Sequence, residues 1–137
     1  MSPTPGYSGT PLAKKLGIAA GNRVWLSGAP ADLAEWLAPL PEGVVFAKRA
    51  GAEVDLAHVF VTCREDLAKH LETLRGKLRP DAALWVSWPK KASKVPTTVT
   101  EDAIRELALP LGFVDVKVCA VSEVWSGLKL VVRKALR

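Results

Sequence analysis

Several features that would point to a particular class of protein are missing from this chain of 137 residues. It has only two cysteines, Cys63 and Cys119, which are too few for a disulfide framework and do not have the spacing of metal ligands. No apolar run approaches the roughly 20 residues that cross a bilayer, and the first residues do not resemble a secretory signal. We therefore expect a cytoplasmic protein without a membrane attachment or a metal.

Motifs for catalysis and for phosphate binding are missing as well. No G-x-x-x-x-G-K-[ST] loop occurs, and two pairs of adjacent acids fall in the first turns of predicted helices, where the helix dipole accounts for them. Cys63 lies beside Arg64 at a predicted helix start, which favours the thiolate, but no histidine is close to it in the sequence. His58 lies inside an apolar strand and is predicted to be a core residue. The sequence assigns no catalytic residue and no cofactor, so a protein that is not an enzyme is favoured.

The composition is that of a folded domain with an excess of positive charge. Apolar residues make up 49% of the chain and charged residues 24%, and the length supports one domain over residues 1–137. The first nine residues are rich in proline, glycine and serine, and they are predicted to form an extended arm. The formal net charge of +5 favours anionic partners.

The order of the predicted elements indicates an α/β fold. Strands are predicted at residues 23–27, 43–48, 56–62, 83–88, 114–121 and 128–134, with a helix between successive strands except between the second and third and before the last. Crossovers through helices are right-handed and join parallel strands, whereas two strands joined by a turn are antiparallel. We therefore predict a three-layer, Rossmann-like mixed sheet with the strand order 2-1-3-4-6-5 and a C-terminal antiparallel hairpin.

Three local patterns give more detailed expectations. Residues 62–65 (Thr-Cys-Arg-Glu) have the form of a capping box, and Thr100 is predicted to cap the following helix. In the fifth strand, apolar residues at positions 114, 116, 118 and 120 alternate with Asp115 and Lys117. This alternation predicts one apolar face and one charged face.

The strand order and the helix–Gly-Phe–strand–strand ending resemble the class I S-adenosylmethionine-dependent methyltransferases, over roughly residues 20–135 and with one unit missing. The residues that would hold the cofactor differ. The family has a G-x-G-x-G loop after its first strand, where residues 27–30 (Ser-Gly-Ala-Pro) contain the single glycine Gly28. It also ends its second strand with a carboxylate, where Lys48 and Arg49 stand here. The resemblance implies the fold, and it makes a diverged methyltransferase relative the alternative to a binding protein.

Three segments are also similar to the signatures of a small bacterial family known as domain of unknown function (DUF) 3052. The segments are residues 6–18 (GYSGTPLAKKLGI), 88–93 (WPKKAS) and 125–129 (WSGLK). The resemblance covers nearly the whole chain and implies a single bacterial cytosolic domain. It brings no activity, ligand or catalytic residue with it.

The most basic segment follows the fourth predicted strand. Residues 86–100 contain Lys90, Lys91 and Lys94 but no acid, with Trp88 and Ser93 in the same segment. The segment leaves the carboxyl end of its strand, which is the edge where open α/β sheets bind ligands. A tryptophan beside lysines suits nucleotides or single-stranded nucleic acid. The alternative is a core tryptophan followed by a solvated loop.

Two further segments are predicted to face the same edge. The turn at residues 122–127 is long for a hairpin and contains Glu123, Trp125 and Ser126, while Gly28 follows the first strand. We predict that these residues and the lysines form one cleft, which binds an anionic small molecule or an acidic partner without catalysis. Nucleic-acid binding by the same lysines is the second alternative. Trp125 packed back onto the core, with no cleft, remains open as well.

Overall fold

The computed structural model describes residues 10–137, so the predicted arm of residues 1–9 lies outside the described part. Six strands form one mixed sheet in the order β2-β1-β3-β4-β6-β5. They are β1 (Arg23–Ser27), β2 (Val45–Phe46), β3 (Leu56–Phe60), β4 (Ala83–Pro89), β5 (Phe113–Ala120) and β6 (Trp125–Val132). The first four strands pair in parallel, and β6 is antiparallel to both β4 and β5. The predicted fold class, strand order and C-terminal hairpin are confirmed.

Helices cover both faces of the sheet. The helices α1 (Leu12–Leu16) and α2 (Leu33–Leu37) pack with Val24, Phe60 and Trp85 on one face, which we name the α1 face. The helices α3 (Arg64–Lys77) and α4 (Glu101–Ala108) pack with Val59, Val86 and other strand residues on the opposite face, which we name the α3 face. Each face therefore has its own apolar core, as expected for strands whose side chains alternate between two covered faces.

The N-terminus of α3 differs from the predicted capping box. Its N-cap residue is Cys63, and no side chain within residues 62–65 caps it. Instead Arg64 N donates to Thr98 Oγ1 at 2.8 Å, and Thr98 N donates to Thr62 O at 3.0 Å. A hydroxyl that comes from the loop between β4 and α4 therefore takes the role that the local pattern assigned to Thr62. The predicted cap of α4 is confirmed, because Thr100 Oγ1 accepts from Ala103 N at 3.0 Å.

The predicted alternation in β5 is wrong, because a β-bulge at position 116 interrupts the strand. Asp115 pairs with Leu130 and Lys117 with Lys129, so Val116 is an extra residue without a partner in β6. The bulge puts Asp115 and Lys117 on opposite faces. Asp115 binds Arg105 of α4, whereas Lys117 donates to the Lys15 carbonyl of α1. Position 118 also lies outside the core, and the residue is 50% exposed.

Candidate functional site

The basic loop that follows β4 has a defined conformation. Its chain turns through a short 3-10 helix, Lys91–Ser93, and Lys94 has the positive φ of +61° that ends it. Ser93 Oγ donates to Lys90 O at 2.6 Å and accepts from Val95 N. The hydroxyl that was predicted to contact a ligand is therefore part of the loop itself. Lys91 and Lys94 are exposed, and Lys90 is half-buried.

A backbone hydrogen bond joins this loop to the hairpin turn. Lys90 N donates to Val124 O at 2.7 Å, at the point where β4 and β6 separate. The turn itself depends on Ser122, which is buried and whose Oγ accepts from the backbone N–H groups of Val124 and Trp125 at 3.1 Å. The predicted neighbours Lys90 and Glu123 thus lie on adjoining loops, with Glu123 exposed.

The two tryptophans that were expected to share one cleft lie on opposite faces of the sheet. Trp88 is opposite Ser126 in the β4–β6 pair and belongs to the core of the α3 face, where it is 9% exposed. Trp125 is opposite Pro89 and packs on the α1 face. Consecutive residues of a strand point to opposite faces, so residues 88 and 125 cannot point the same way in this register. Trp88 is a core residue, as the alternative interpretation proposed.

Gly28 and Trp125 do come together, and Phe60 lies between them. Gly28 has a φ of +69°, and a Cβ atom there would lie 2.7 Å from the Phe60 carbonyl oxygen. The Phe60 ring in turn meets the Trp125 ring edge to face, with centroids 5.1 Å apart. A glycine is needed here for its backbone conformation and for the close approach. The carboxyl edge on the α1 face is thus packed by aromatic rings.

Two surface clefts in residues 10–137 lie away from these loops. One lies between α3 and the segment after β2, and the other between α1 and β5. None of the predicted site residues lines either cleft. From the sequence, Lys48 and Arg49 of the first cleft were interpreted only as replacements for a cofactor-binding carboxylate, and they were not linked to α3. The signal that was missed is the spacing of Lys69, Thr73 and Lys77, which puts the three on one side of α3.

His58 and Ser87 form a buried polar pair on the α1 face. His58 Nε2 and Ser87 Oγ are 2.6 Å apart, and the imidazole stacks on Phe60 with centroids 4.2 Å apart. Burial lowers the pKa of His58 to about 3, so the ring is neutral at ordinary pH. Both residues are almost completely buried, so no substrate reaches the hydroxyl, and the pair is a satisfied core contact as the sequence suggested.

The cysteines and acids do not combine into a catalytic or metal centre within residues 10–137. Cys63 and Cys119 are free thiols. Burial raises the pKa of Cys119, an effect that the charges of Lys15 and Lys117 oppose. No three His, Cys, Asp or Glu side chains of this part of the chain are grouped as metal ligands would be. No helix in it is long and apolar enough to cross a membrane.

The residues at the carboxyl edge do not fit adenosylmethionine, the cofactor that the fold implies. The single glycine after β1 is packed against Phe60, and the residues after β2 are Lys48 and Arg49. The end of β3 is covered by the chain itself, since Thr98 N and Thr97 Oγ1 both donate to Thr62 O. The carbonyl at the end of β3 is therefore occupied by internal contacts.

Comparison with solved structures identifies the fold. A methyltransferase from Aquifex aeolicus, described as dependent on adenosylmethionine, superposes with a TM-score of 0.63 at 17% identity, over 89% of this chain and 88% of that one. A structure described as a type 11 methyltransferase from Sulfolobus solfataricus gives 0.63 at 12% identity, over 90% of each chain. The fibrillarin of Aeropyrum pernix, with natively bound S-adenosyl-L-methionine, gives 0.57 at 14% identity, over 92% of this chain and 70% of that one.

The sequence itself gives no match in the other comparisons. No family model matches the chain, and no curated protein matches it. Identities of 12–17% with the three structures carry a conclusion about the fold alone. The chain therefore has the fold of the class I S-adenosylmethionine-dependent methyltransferases.

Proposed function

We propose that this chain is a non-catalytic binding protein, and that its ligand is an anionic small molecule or an acidic partner. The ligand is held at the carboxyl edge of the sheet by Lys90, Lys91 and Lys94. The observation that carries the proposal is the fixed position of an acid-free loop, tied to the hairpin by the Lys90 N–Val124 O hydrogen bond of 2.7 Å. The side chains of these lysines form no ion pair with residues 10–137, so their charges are available to a partner.

The other predicted residues support the lysines from the hairpin side. Trp125 is partly exposed, Ser126 precedes the buried part of β6, and Gly28 lies against Phe60 at the same edge. Glu123 at the exposed turn adds a negative charge beside the lysines, which restricts how an anion can approach. Because the lysines project from a loop and line neither cleft, an acidic macromolecule fits this rim better than an enclosed small molecule.

The test is retention on immobilised heparin with a matched charge control. Lys90→Glu with Lys91→Glu should lower the salt concentration needed for elution, because it removes two cations from the proposed site. Arg133→Glu with Lys134→Glu makes the same change in net charge at exposed positions elsewhere, and it should elute closer to the wild type. Equal behaviour of the two variants would contradict the proposal, since only total charge would then matter.

The same lysines are the basis of the nucleic-acid alternative. A fluorescence anisotropy titration with single-stranded and double-stranded oligonucleotides, in parallel with an acidic peptide, separates the two partners. Binding of an oligonucleotide that the Lys90→Glu, Lys91→Glu variant loses would favour nucleic acid. Binding of the peptide alone would favour an acidic protein.

A diverged methyltransferase relative is the second candidate function, and the fold favours it. The test is a thermal shift with S-adenosylmethionine and S-adenosylhomocysteine. A rise of several degrees in the melting temperature, saturating with cofactor, would support a cofactor site. We expect no shift, because Gly28, Lys48 and Arg49 replace the residues that hold the cofactor in that family.

We also propose that the chain belongs to the bacterial DUF 3052 family and is cytoplasmic. Two of the three segments behind this assignment are neighbours in space. Residues 88–93 and 125–129 meet through the β4–β6 pairing and through the Lys90–Val124 hydrogen bond. The third segment, residues 6–18, lies partly outside the described residues. A shared functional surface would explain why residues 88–93 and 125–129 both belong to the signatures of that family.

A further inference from the structure

The cleft between α3 and the segment after β2 has the form of a binding groove on the α3 face. Its volume is about 460 Å³, which lies within the range of small-molecule sites. Both α3 and the residues that follow β2 contribute side chains to it. Those used below are Trp25, Lys48, Arg49, Lys69, His70 and Lys77.

An aromatic surface forms the floor of this groove. Trp25 of β1 is half-buried, and it meets the half-buried imidazole of His70 edge to face, with ring centroids 6.4 Å apart and an interplanar angle of 62°. Half-burial leaves part of the indole accessible from the groove. A planar ring is the ligand group that stacks best on such a surface.

Cations line the two opposing walls. Lys69 and Lys77 lie on the α3 wall, with Thr73 between them at the four-residue spacing of one helix face, and Lys48 and Arg49 form the other wall. Among the lining residues, the only carboxylate is Asp66. The groove therefore carries four cations against one acid.

These four cations have no carboxylate partner of their own. Within residues 10–137, Lys48, Arg49, Lys69 and Lys77 make no ion pair. In contrast, Arg64, Arg79 and Arg105 of the same chain are all bound to carboxylates. Unpaired cations on two sides of a concave surface make a favourable site for phosphate.

We infer that this groove binds a nucleoside phosphate, with the base against Trp25 and the phosphates between the two cationic walls. The same chemistry occurs in a free mononucleotide and in one nucleotide of a single strand. The groove shares no residue with the basic loop after β4, so the inference does not depend on the proposed function of that loop.

Isothermal titration calorimetry with three probes tests both parts of the site. ATP is expected to bind more tightly than either tripolyphosphate or adenosine, because it alone offers a ring and phosphates. Trp25→Leu should weaken ATP about tenfold and leave tripolyphosphate unchanged. Lys48→Gln with Arg49→Gln should lower the affinity for both ATP and tripolyphosphate by about tenfold. Arg133→Gln with Lys134→Gln, at exposed positions outside both proposed sites, is the matched control, and it should change the affinity for neither ligand.

Two further ligands distinguish a free mononucleotide from a single strand, and nucleotide binding from binding by charge alone. A short oligothymidylate that binds at least as well as ATP, and depends on Trp25, supports the same site with a single strand as its natural ligand. Hexaglutamate that binds as well as ATP, and that loses affinity in the Lys48→Gln, Arg49→Gln protein, would overturn the inference, since charge alone would then suffice in the groove. So would an absence of measurable ATP binding, or a loss that follows Lys90 and Lys91 instead of Lys48 and Arg49.

Lys48 and Arg49 are exposed, so their substitution should leave the fold unchanged. Trp25 packs against the core, so Trp25→Phe is included as the conservative variant, with circular dichroism to confirm the fold. Trp25→Phe should retain most of the ATP affinity. A folded Trp25→Leu protein that binds ATP as tightly as the wild type would show that no base stacks there.

Discussion

The buried imidazole of His58 should make the stability of this protein depend on pH in a specific window. Burial lowers the pKa of His58 from 6.5 to about 3 in the folded state. As the pH falls below 6.5, the unfolded chain takes up a proton at this residue, but the folded chain does not. Stability from the neutral imidazole is therefore fully present above pH 6.5, and it is lost as the pH falls from 6.5 to 3.

The size of the effect follows from the proton linkage. Between pH 7.5 and pH 5 the unfolded state gains about 2 kcal/mol relative to the folded state from this residue alone. That is a large part of the 5–15 kcal/mol typical of a small domain, and urea denaturation followed by circular dichroism at a series of pH values measures it.

The second histidine provides the matched control. His70 is half-buried, and burial lowers its pKa while the charge of Asp66 opposes that shift, so it contributes to the same window with a smaller effect. His58→Gln can keep a hydrogen-bond partner for Ser87. The His58→Gln protein should be less stable at pH 7.5 but lose much less stability between pH 7.5 and 5. His70→Gln should retain most of the wild-type pH dependence.

NMR of the imidazole rings tests the low pKa of His58 independently of the stability measurements. In NMR spectra recorded from pH 7.5 to 5, the His58 ring protons should keep constant chemical shifts, while those of His70 should move with pH. Titration of the His58 signal near pH 6.5, or the same pH dependence of stability in wild type and His58→Gln, would refute the reasoning.

Substitutions at four positions test the packing and capping contacts by urea denaturation. Gly28→Ala should lower the free energy of unfolding by about 2 kcal/mol or more, because it combines a positive φ with a Cβ atom 2.7 Å from Phe60 O. Gly76→Ala in α3 is the control, and it should be neutral or stabilising because the space around Gly76 is open. Thr98→Ala should lower the free energy of unfolding by about 1 kcal/mol, because it removes the acceptor for Arg64 N. If Thr62 were the cap, as the local capping box requires, Thr62→Ala would cause the larger loss, and that result would contradict the reasoning.

Much of the fold could be predicted because its signals are local or are repeated along the chain. The apolar run of β3 is completely buried, as a parallel strand covered on both faces should be. The Thr100 cap involves a residue only three positions away. The bulge at Val116 could not be predicted, because it depends on which partners β6 offers to Asp115 and Lys117.

The meeting of the basic loop with the hairpin turn was predictable, whereas the orientation of their tryptophans was not. The basic loop and the hairpin turn meet at the carboxyl edge, as strand order and direction require. The register of β4 against β6 decides that Trp88 and Trp125 point to opposite faces, and a shift of one residue would have put both on the same face. The groove beside α3 was missed because its two walls, at residues 48–50 and 66–77, are distant in sequence.

The state of the backbone at the carboxyl edge determines what kind of ligand can bind there. Cofactor loops hold their ligands with free backbone N–H groups. Here Lys90 N and Arg64 N are bound internally, and Thr62 O accepts two hydrogen bonds. Because these backbone groups are already used, a ligand at the basic loop would be held mainly by long charged side chains. Binding through such side chains is screened by salt, so affinity at this edge should fall steeply with ionic strength, in contrast to a cofactor held by backbone hydrogen bonds.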